Sequence, residues 1–85
     1  MVRPVRILLF ATARTAVGRP ELVWSVPAEG MPAKALTREL AAAYPALAPT
    51  LGVSRFVRNG RYLDRLSTRV RPGDEFAIHP PYGGG

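Results

Sequence analysis

The feature that most constrains the fold is a single helix-forming run that lies between segments with strand character. The run PAKALTRELAAAY, residues 32–44, is rich in residues of high helix propensity, and Pro32 suits the first turn of a helix. Pro45 ends this helix, because the residue before a proline is disfavoured in the α region. Apolar residues at helical spacing predict one face that packs on a core. They are Ala33, Leu36, Leu40 and Ala43 or Tyr44.

The two segments before the helix predict a hairpin. VRILLFA, residues 5–11, is β-branched and aromatic, and both of its faces are largely apolar, which predicts a central strand with a covering on each side. ELVWSVP, residues 21–27, alternates one set of apolar residues with a second, mixed set, which is typical of a half-buried strand. The first set is Leu22, Trp24 and Val26, and the second is Glu21, Val23 and Ser25. TARTAVGRP, residues 12–20, contains glycine and proline and is predicted to be the turn between them.

The segments after the helix predict a return to the sheet. We expect PALAPTLG, residues 45–52, to be a loop held to the core by Leu47 and Leu51. Asn59-Gly60 between two short extended runs is a strong hairpin-turn signal.

A turn at Pro72–Asp74 precedes a last predicted strand, Glu75–His79. Alternation places Phe76 and Ile78 on one face of this strand, and Ala77 and His79 on the other.

The order of these elements is strand, strand, helix, strand, short strand, strand. It predicts an α+β fold, a mixed sheet with one main helix laid across one face, which is the β-grasp or ubiquitin-like arrangement. We expect a single domain over residues 1–81 and a C-terminal tail over residues 82–85.

Composition excludes several functions. The chain has no cysteine and one histidine, so thiolate metal sites, cysteine nucleophiles and histidine clusters are not available, and we predict no metal site. No apolar run approaches the roughly 20 residues that span a bilayer, which predicts a cytoplasmic protein without a membrane partner. The net charge is +6, and eleven of the twelve basic residues are arginine. This charge fits an acidic or nucleic-acid partner, and it also fits a compositional bias toward Ala, Gly, Pro and Arg.

The C-terminal segment HPPYGGG, residues 79–85, has no side chains suited to a core. Pro80 and Pro81 lack an N–H group and should end the last strand. A frayed terminus would explain the glycines. Glycine, having no Cβ, also allows a tail to enter a narrow channel, where it would present the carboxylate of Gly85. A carboxylate becomes reactive only after activation, such as adenylation with ATP supplied by a partner enzyme.

Four stretches carry a resemblance to a known family. LLFATARTAVG at residues 8–18, LTRELAAAYPAL at 36–47, VRNGRYL at 57–63 and RPGDEFAIHPPYGGG at 71–85 resemble the MoaD family, the small subunits of molybdopterin synthase, within the ubiquitin-like sulfur carriers that include ThiS. The last stretch is the most specific, because it combines a Gly-Asp-Glu turn, a strand, Pro-Pro and terminal Gly-Gly. His79 stands where an exposed aromatic residue is common in the family.

The resemblance implies a role for the tail. Gly85 would be adenylated by a MoeB-like enzyme that uses ATP, and a sulfur donor system would convert it to a thiocarboxylate. Tyr82, Gly83 and Gly84 would enter the active site of a MoaE-like large subunit. The thiocarboxylate would then give sulfur to cyclic pyranopterin monophosphate. This chain would bind no cofactor, and the catalytic groups would lie on the partner.

Alternation along the strands also predicts a docking surface for the partner. If one face of the first and last strands packs on the helix, the opposite face carries an apolar patch, and such patches usually mark interfaces. The predicted interface residues are Leu8, Phe10, Leu63, Ala77, His79, Pro80 and Pro81.

Other functions remain open. The sulfur could serve thiamine, cysteine or tRNA thiolation, because the tail chemistry is the same. An activated Gly85 could instead form isopeptide bonds as a protein modifier. A basic nucleic-acid-binding module is a remote alternative, because the arginines have few interleaved aromatic residues and no recognised RNA-binding signature.

Overall fold

The computed structural model describes residues 3–81. Its elements follow in chain order. They are β1 (Val5–Leu9), α1 (Ala11–Val17), β2 (Glu21–Trp24), β3 (Met31–Pro32), α2 (Ala33–Ala43), a 3-10 turn (Pro45–Leu47), α3 (Ala48–Leu51), β4 (Arg55–Arg58), β5 (Arg61–Tyr62), β6 (Arg69–Val70) and β7 (Glu75–His79).

The main sheet has five strands in the order β2-β1-β7-β4-β5. The first and last strands of the chain, β1 and β7, run parallel at its centre, and the other pairs are antiparallel. A second sheet pairs β3 with β6. With α2 packed on one face of the main sheet, this is the predicted α+β β-grasp fold, and the predicted β1–β2 hairpin is confirmed.

The core lies between α2 and the inner face of the sheet, which is the face that packs on this helix. Ala33, Leu36 and Leu40 of α2 are fully buried, as their spacing predicts. The inner face of the strands contributes buried side chains at alternate positions. They are Val5, Ile7, Leu9, Phe56, Phe76 and Ile78. The Phe56 and Phe76 rings stack with centroids 5.4 Å apart, which joins β4 to the centre of the core.

The predicted turn over residues 12–20 is wrong, because most of it is helix α1. Ala13 is completely buried in this helix. Gly18 has a left-handed conformation with φ of 82°, and its N–H donates to the Arg14 carbonyl oxygen at 2.7 Å. Glycine at this place is a helix C-terminal cap. The glycine that indicated a turn therefore marks the end of a helix.

The predicted loop over residues 45–52 is also helical, since the 3-10 turn and α3 occupy most of it. Leu47 and Leu51 are nevertheless buried, as expected. The small β3–β6 sheet lacks a sequence signal, because each of its strands has only two residues.

The predicted turn at Asn59-Gly60 is confirmed, with positive φ at both residues. The Asn59 side chain also joins this hairpin to the turn before β7. Its Nδ2 donates to Asp74 Oδ1 at 3.0 Å, and its Oδ1 accepts from the backbone N–H of Glu75 at 2.8 Å. One residue thus supports both the hairpin and the start of the central strand β7.

Candidate functional site

The outer face of the sheet, opposite α2, carries a row of apolar residues across four strands. Strand pairing aligns Leu8 with Ala77, Ala77 with Val57, and Val57 with Tyr62. Leu8 and Val57 are half-buried, and Tyr62 is 55% exposed. Because α2 packs on the inner face, the covering that the sequence predicts for the second face of β1 is not this helix, and that covering stays a prediction.

An aromatic cluster of Phe10, His79, Tyr62 and Arg55 lies at one end of the row. The Phe10 and His79 rings are stacked, with centroids 4.5 Å apart and planes at 13°. Tyr62 lies 6.5 Å from His79 in a tilted arrangement, and the Arg55 guanidinium lies 4.2 Å from the Tyr62 ring centroid. Aromatic stacking and the cation–π contact hold these side chains in one layer. The cluster lies where β7 ends.

The opposite end of the outer face is charged. Arg6 donates to both carboxylate oxygens of Glu21, at 3.0 and 3.2 Å, and lies 3.5 Å from Glu75. This pairing raises the pKa of the Arg6 guanidinium and lowers the pKa of the Glu21 carboxyl, mainly through the side-chain hydrogen bond between them. The outer face therefore changes from paired charges at the start of β7 to apolar and aromatic groups at its end.

Most predicted interface residues do lie together on this face. Leu8, Phe10 and His79 are neighbours there, and Phe10 is 43% exposed. Ala77 shares the face but is only 5% exposed, so it offers little contact area. Pro80 and Pro81 follow directly, and β7 ends at His79, as the missing proline N–H groups predict. That a partner covers these residues stays a prediction.

The placement of Leu63 on this face is wrong. Its side chain packs against the core, and its N–H donates to the Phe56 carbonyl oxygen at 2.9 Å. Tyr62 pairs with Val57 on the outer face, so the next residue points to the other side of the sheet.

Sequence reasoning missed three contributors to the outer face, Arg55, Val57 and Tyr62. A signal for two of them was present. A two-residue Asn-Gly turn fixes the register of its hairpin, and counting outward from it pairs residue 57 with residue 62. The part played by Arg55 depends on its alignment with His79 of β7, which local sequence does not encode.

The predicted tail residues Tyr82, Gly83, Gly84 and Gly85 lie outside the described residues. Over residues 3–81, no three His, Asp or Glu side chains are grouped so that they could hold a metal ion. None of the helices in that same part of the chain combines the length and apolar character needed to cross a membrane.

A five-stranded mixed sheet, one main helix on its inner face and a partly apolar outer face beside the end of β7 define a ubiquitin-like β-grasp protein. The chain belongs to the ThiS family, whose profile matches residues 7–85. It is 33% identical over 86 residues to the molybdopterin synthase sulfur carrier subunit of Dictyostelium discoideum, and the match covers 100% of both proteins.

Solved structures show the same fold. The small archaeal modifier protein 1 of Methanosarcina acetivorans is 29% identical with a TM-score of 0.80, and the match covers 100% of this chain and 99% of that one. The small archaeal modifier protein 1 of Haloferax volcanii is 26% identical with a TM-score of 0.82, covering 96% of this chain and 99% of that one.

Proposed function

We propose that this chain is a sulfur carrier that serves as the small subunit of a molybdopterin synthase. The observation that carries the proposal is the full-length similarity to a molybdopterin synthase sulfur carrier subunit. The family match extends through residue 85 and so includes the glycine end. The outer face adds support, because its apolar part lies beside Pro80 and Pro81, which directly precede the reactive segment.

The chemistry is centred on the carboxylate of Gly85. A MoeB-like enzyme joins AMP from ATP to a carboxylate oxygen and releases pyrophosphate. A sulfide-level nucleophile from the sulfur donor system then attacks the acyl carbon, forms the C–S bond and displaces AMP. The resulting thiocarboxylate is the sulfur source for cyclic pyranopterin monophosphate. The chain binds no cofactor in this scheme, and the catalytic groups belong to its partner.

The partner in this proposal is a MoaE-like large subunit that covers the apolar part of the outer face. Phe10 and Tyr62 are the best anchors, because exposed aromatic side chains bury much area at a low cost in conformational entropy. The stacked His79 holds the Phe10 ring in place. With the domain held in this way, Tyr82, Gly83 and Gly84 lead Gly85 into the partner's active site.

A second candidate is a protein modifier, which the similarity to small archaeal modifier proteins favours. The same activated carboxyl would then be attacked by a lysine amine to form an isopeptide bond. Mass spectrometry separates the two functions. A carrier shows one oxygen of intact chains replaced by sulfur, whereas a modifier leaves branched Gly-Gly-Gly remnants on lysines of other proteins after chymotrypsin cleaves behind Tyr82.

The deciding experiment removes Gly85, or adds one residue after it, in a strain whose own carrier gene is deleted. We expect both variants to lose molybdoenzyme activity, because the carboxylate no longer reaches the reacting position. Arg19→Lys, a conservative change at an exposed residue away from the outer face, is the control and should restore activity. Full rescue by either tail variant would contradict the proposal.

A further inference from the structure

The positive charge of this chain is concentrated in one segment. Residues 55–71 contain six arginines and one aspartate, a net charge of +5. The other 68 residues contain six basic and five acidic residues, a net charge of +1. A bias of the whole composition toward arginine does not account for such an uneven distribution. We call these six residues the arginine edge, and they are Arg55, Arg58, Arg61, Arg65, Arg69 and Arg71.

The fold brings this segment to one edge of the molecule. Strands β4 and β5 form one end of the main sheet. The other end is β2, whose Glu21 pairs with Arg6 of β1. Arg58 Nη1 donates to the Arg69 carbonyl oxygen at 2.8 Å, which ties the hairpin to β6. Arg69 Nη1 in turn donates to the Gly30 carbonyl oxygen at 3.0 Å. These carbonyl groups orient the two guanidinium groups without neutralising their charge.

The arginine edge has no carboxylate partner within the described chain. Over residues 3–81, the ion pairs within 4.0 Å are those of Arg6 with Glu21 and Glu75. Asp74, a carboxylate beside the hairpin turn, accepts instead from Asn59 and from the backbone N–H of Arg71. Clustered like charges raise the free energy of an isolated protein, and an opposite charge on a partner relieves that repulsion.

Three of these arginines line a shallow cleft of about 280 Å³ on the edge. Its other walls come from Tyr62, Leu63, Asp64 and Thr68. The cleft adjoins the outer face, because Tyr62 belongs to both, and Arg55 lies over the Tyr62 ring at 4.2 Å. The apolar row and the arginine edge therefore meet at Tyr62 and Arg55. Strand pairing places Arg58 and Arg61 on the inner side of the same hairpin, so the cleft wraps around the edge of the sheet. Protein interfaces commonly have this form, with an apolar centre and a charged rim.

We propose that the arginine edge docks an acidic patch on the protein that covers the outer face. This inference rests on the proposed function and specifies the chemistry of its large subunit. One observation favours a protein over a nucleic acid. The Arg55 guanidinium covers one face of Tyr62, the single aromatic residue in the cleft, so that face is closed to base stacking.

The test measures the association rate constant with the purified MoaE-like large subunit of the same organism. The variant R61E/R65E reverses two cleft arginines, and R61Q/R65Q removes the same charges more gently. The control R19E/R38E makes an identical charge change at two exposed arginines outside the arginine edge, one before β2 and one on α2. Each variant is measured at about 50 mM and about 500 mM NaCl, because salt screens charge steering.

We expect R61E/R65E to slow association about tenfold or more at the lower salt, and R61Q/R65Q about threefold, since opposite patches steer encounter. The control should change the rate about twofold, and the differences should nearly vanish at the higher salt. Equal effects of R61E/R65E and R19E/R38E would overturn the inference, as would no effect of either cleft variant. Tighter binding of a labelled single-stranded RNA than of the large subunit, lost in R61E/R65E, would also overturn it.

Failure of this inference is distinguishable from failure of the proposed function. If the chain is not a sulfur carrier, wild-type protein from cells lacks a thiocarboxylate on Gly85, and the inference falls with it. If only the inference is wrong, the thiocarboxylate forms and the large subunit binds, but binding does not respond to R61E/R65E.

Discussion

The two faces of the β-sheet differ in what their side chains do. On β7, Phe76 and Ile78 of the inner face are completely buried beneath α2. Ala77 and His79 alternate with them on the outer face, where His79 stacks on an exposed Phe10. Residues one position apart therefore differ in role: the inner face supplies stability, and the outer face leaves side chains exposed where we propose that a partner binds. The following predictions test that division.

The largest effect is expected at the centre of the inner face. Phe76→Ala should lower the free energy of unfolding by about 3–5 kcal/mol, because it removes a buried ring and leaves a cavity. Urea unfolding followed by circular dichroism measures this loss. Phe10→Ala on the outer face is the matched control and should cost about 1 kcal/mol or less, since that ring is already 43% exposed. Comparable losses in the two variants would show that the faces are not distinct in this way.

The next effect concerns binding. Phe10→Ala should weaken the complex with the MoaE-like large subunit about tenfold, because an exposed aromatic anchor at an interface contributes about 1–2 kcal/mol or more. Titration calorimetry measures the affinity. Val53→Ala, at another exposed apolar residue that is outside the outer face, is the control and should bind as the wild type does. Unchanged affinity of Phe10→Ala would remove the outer face from the interface.

Two neighbouring residues sharpen the comparison. Leu63→Ala should cost about 1 kcal/mol of stability and leave affinity for the large subunit nearly unchanged, because this half-buried side chain packs against the core. Tyr62→Ala should leave stability nearly unchanged and weaken binding to the large subunit, since Tyr62 is 55% exposed on the outer face. Unfolding and binding measurements on both variants form a single test. If Leu63→Ala lost affinity and kept its stability, our assignment of the two residues to opposite faces would fail.

The smallest effect is expected at the charged end of the outer face. Arg6 holds the pKa of the Glu21 carboxyl below its unfolded value. The stabilisation is thus present above the unfolded pKa and is lost as pH falls through the folded pKa, below about pH 4.3. Arg6→Gln should flatten this part of the stability–pH curve slightly, because exposed pairs contribute little. Unfolding midpoints between about pH 2 and pH 6 measure it. An identical curve for wild type and variant would show that the pair does not stabilise the fold.

Local sequence predicted the elements whose signals come from neighbours along the chain. The buried face of α2, the alternation of β7 and the turn at Asn59-Gly60 each follow from spacing over a few residues. The wrong predictions fall where one local sequence signal fits two different structures. Gly18 fits a turn and a helix cap equally well, and burial of Ala13 against the core favours the helix. The β3 and β6 strands are too short to show a period.

The sequence by itself determined the β-grasp class, the buried face of α2 and the inner-face residues of β7. It also shows that positive charge is concentrated in residues 55–71. Only the tertiary structure decided that Arg55 aligns with His79 on the outer face, and that the arginine edge meets the aromatic cluster there. The physical reason is the range of the interactions. Periodicity depends on adjacent residues, whereas the site depends on pairing between strands as distant in the chain as β1 and β7.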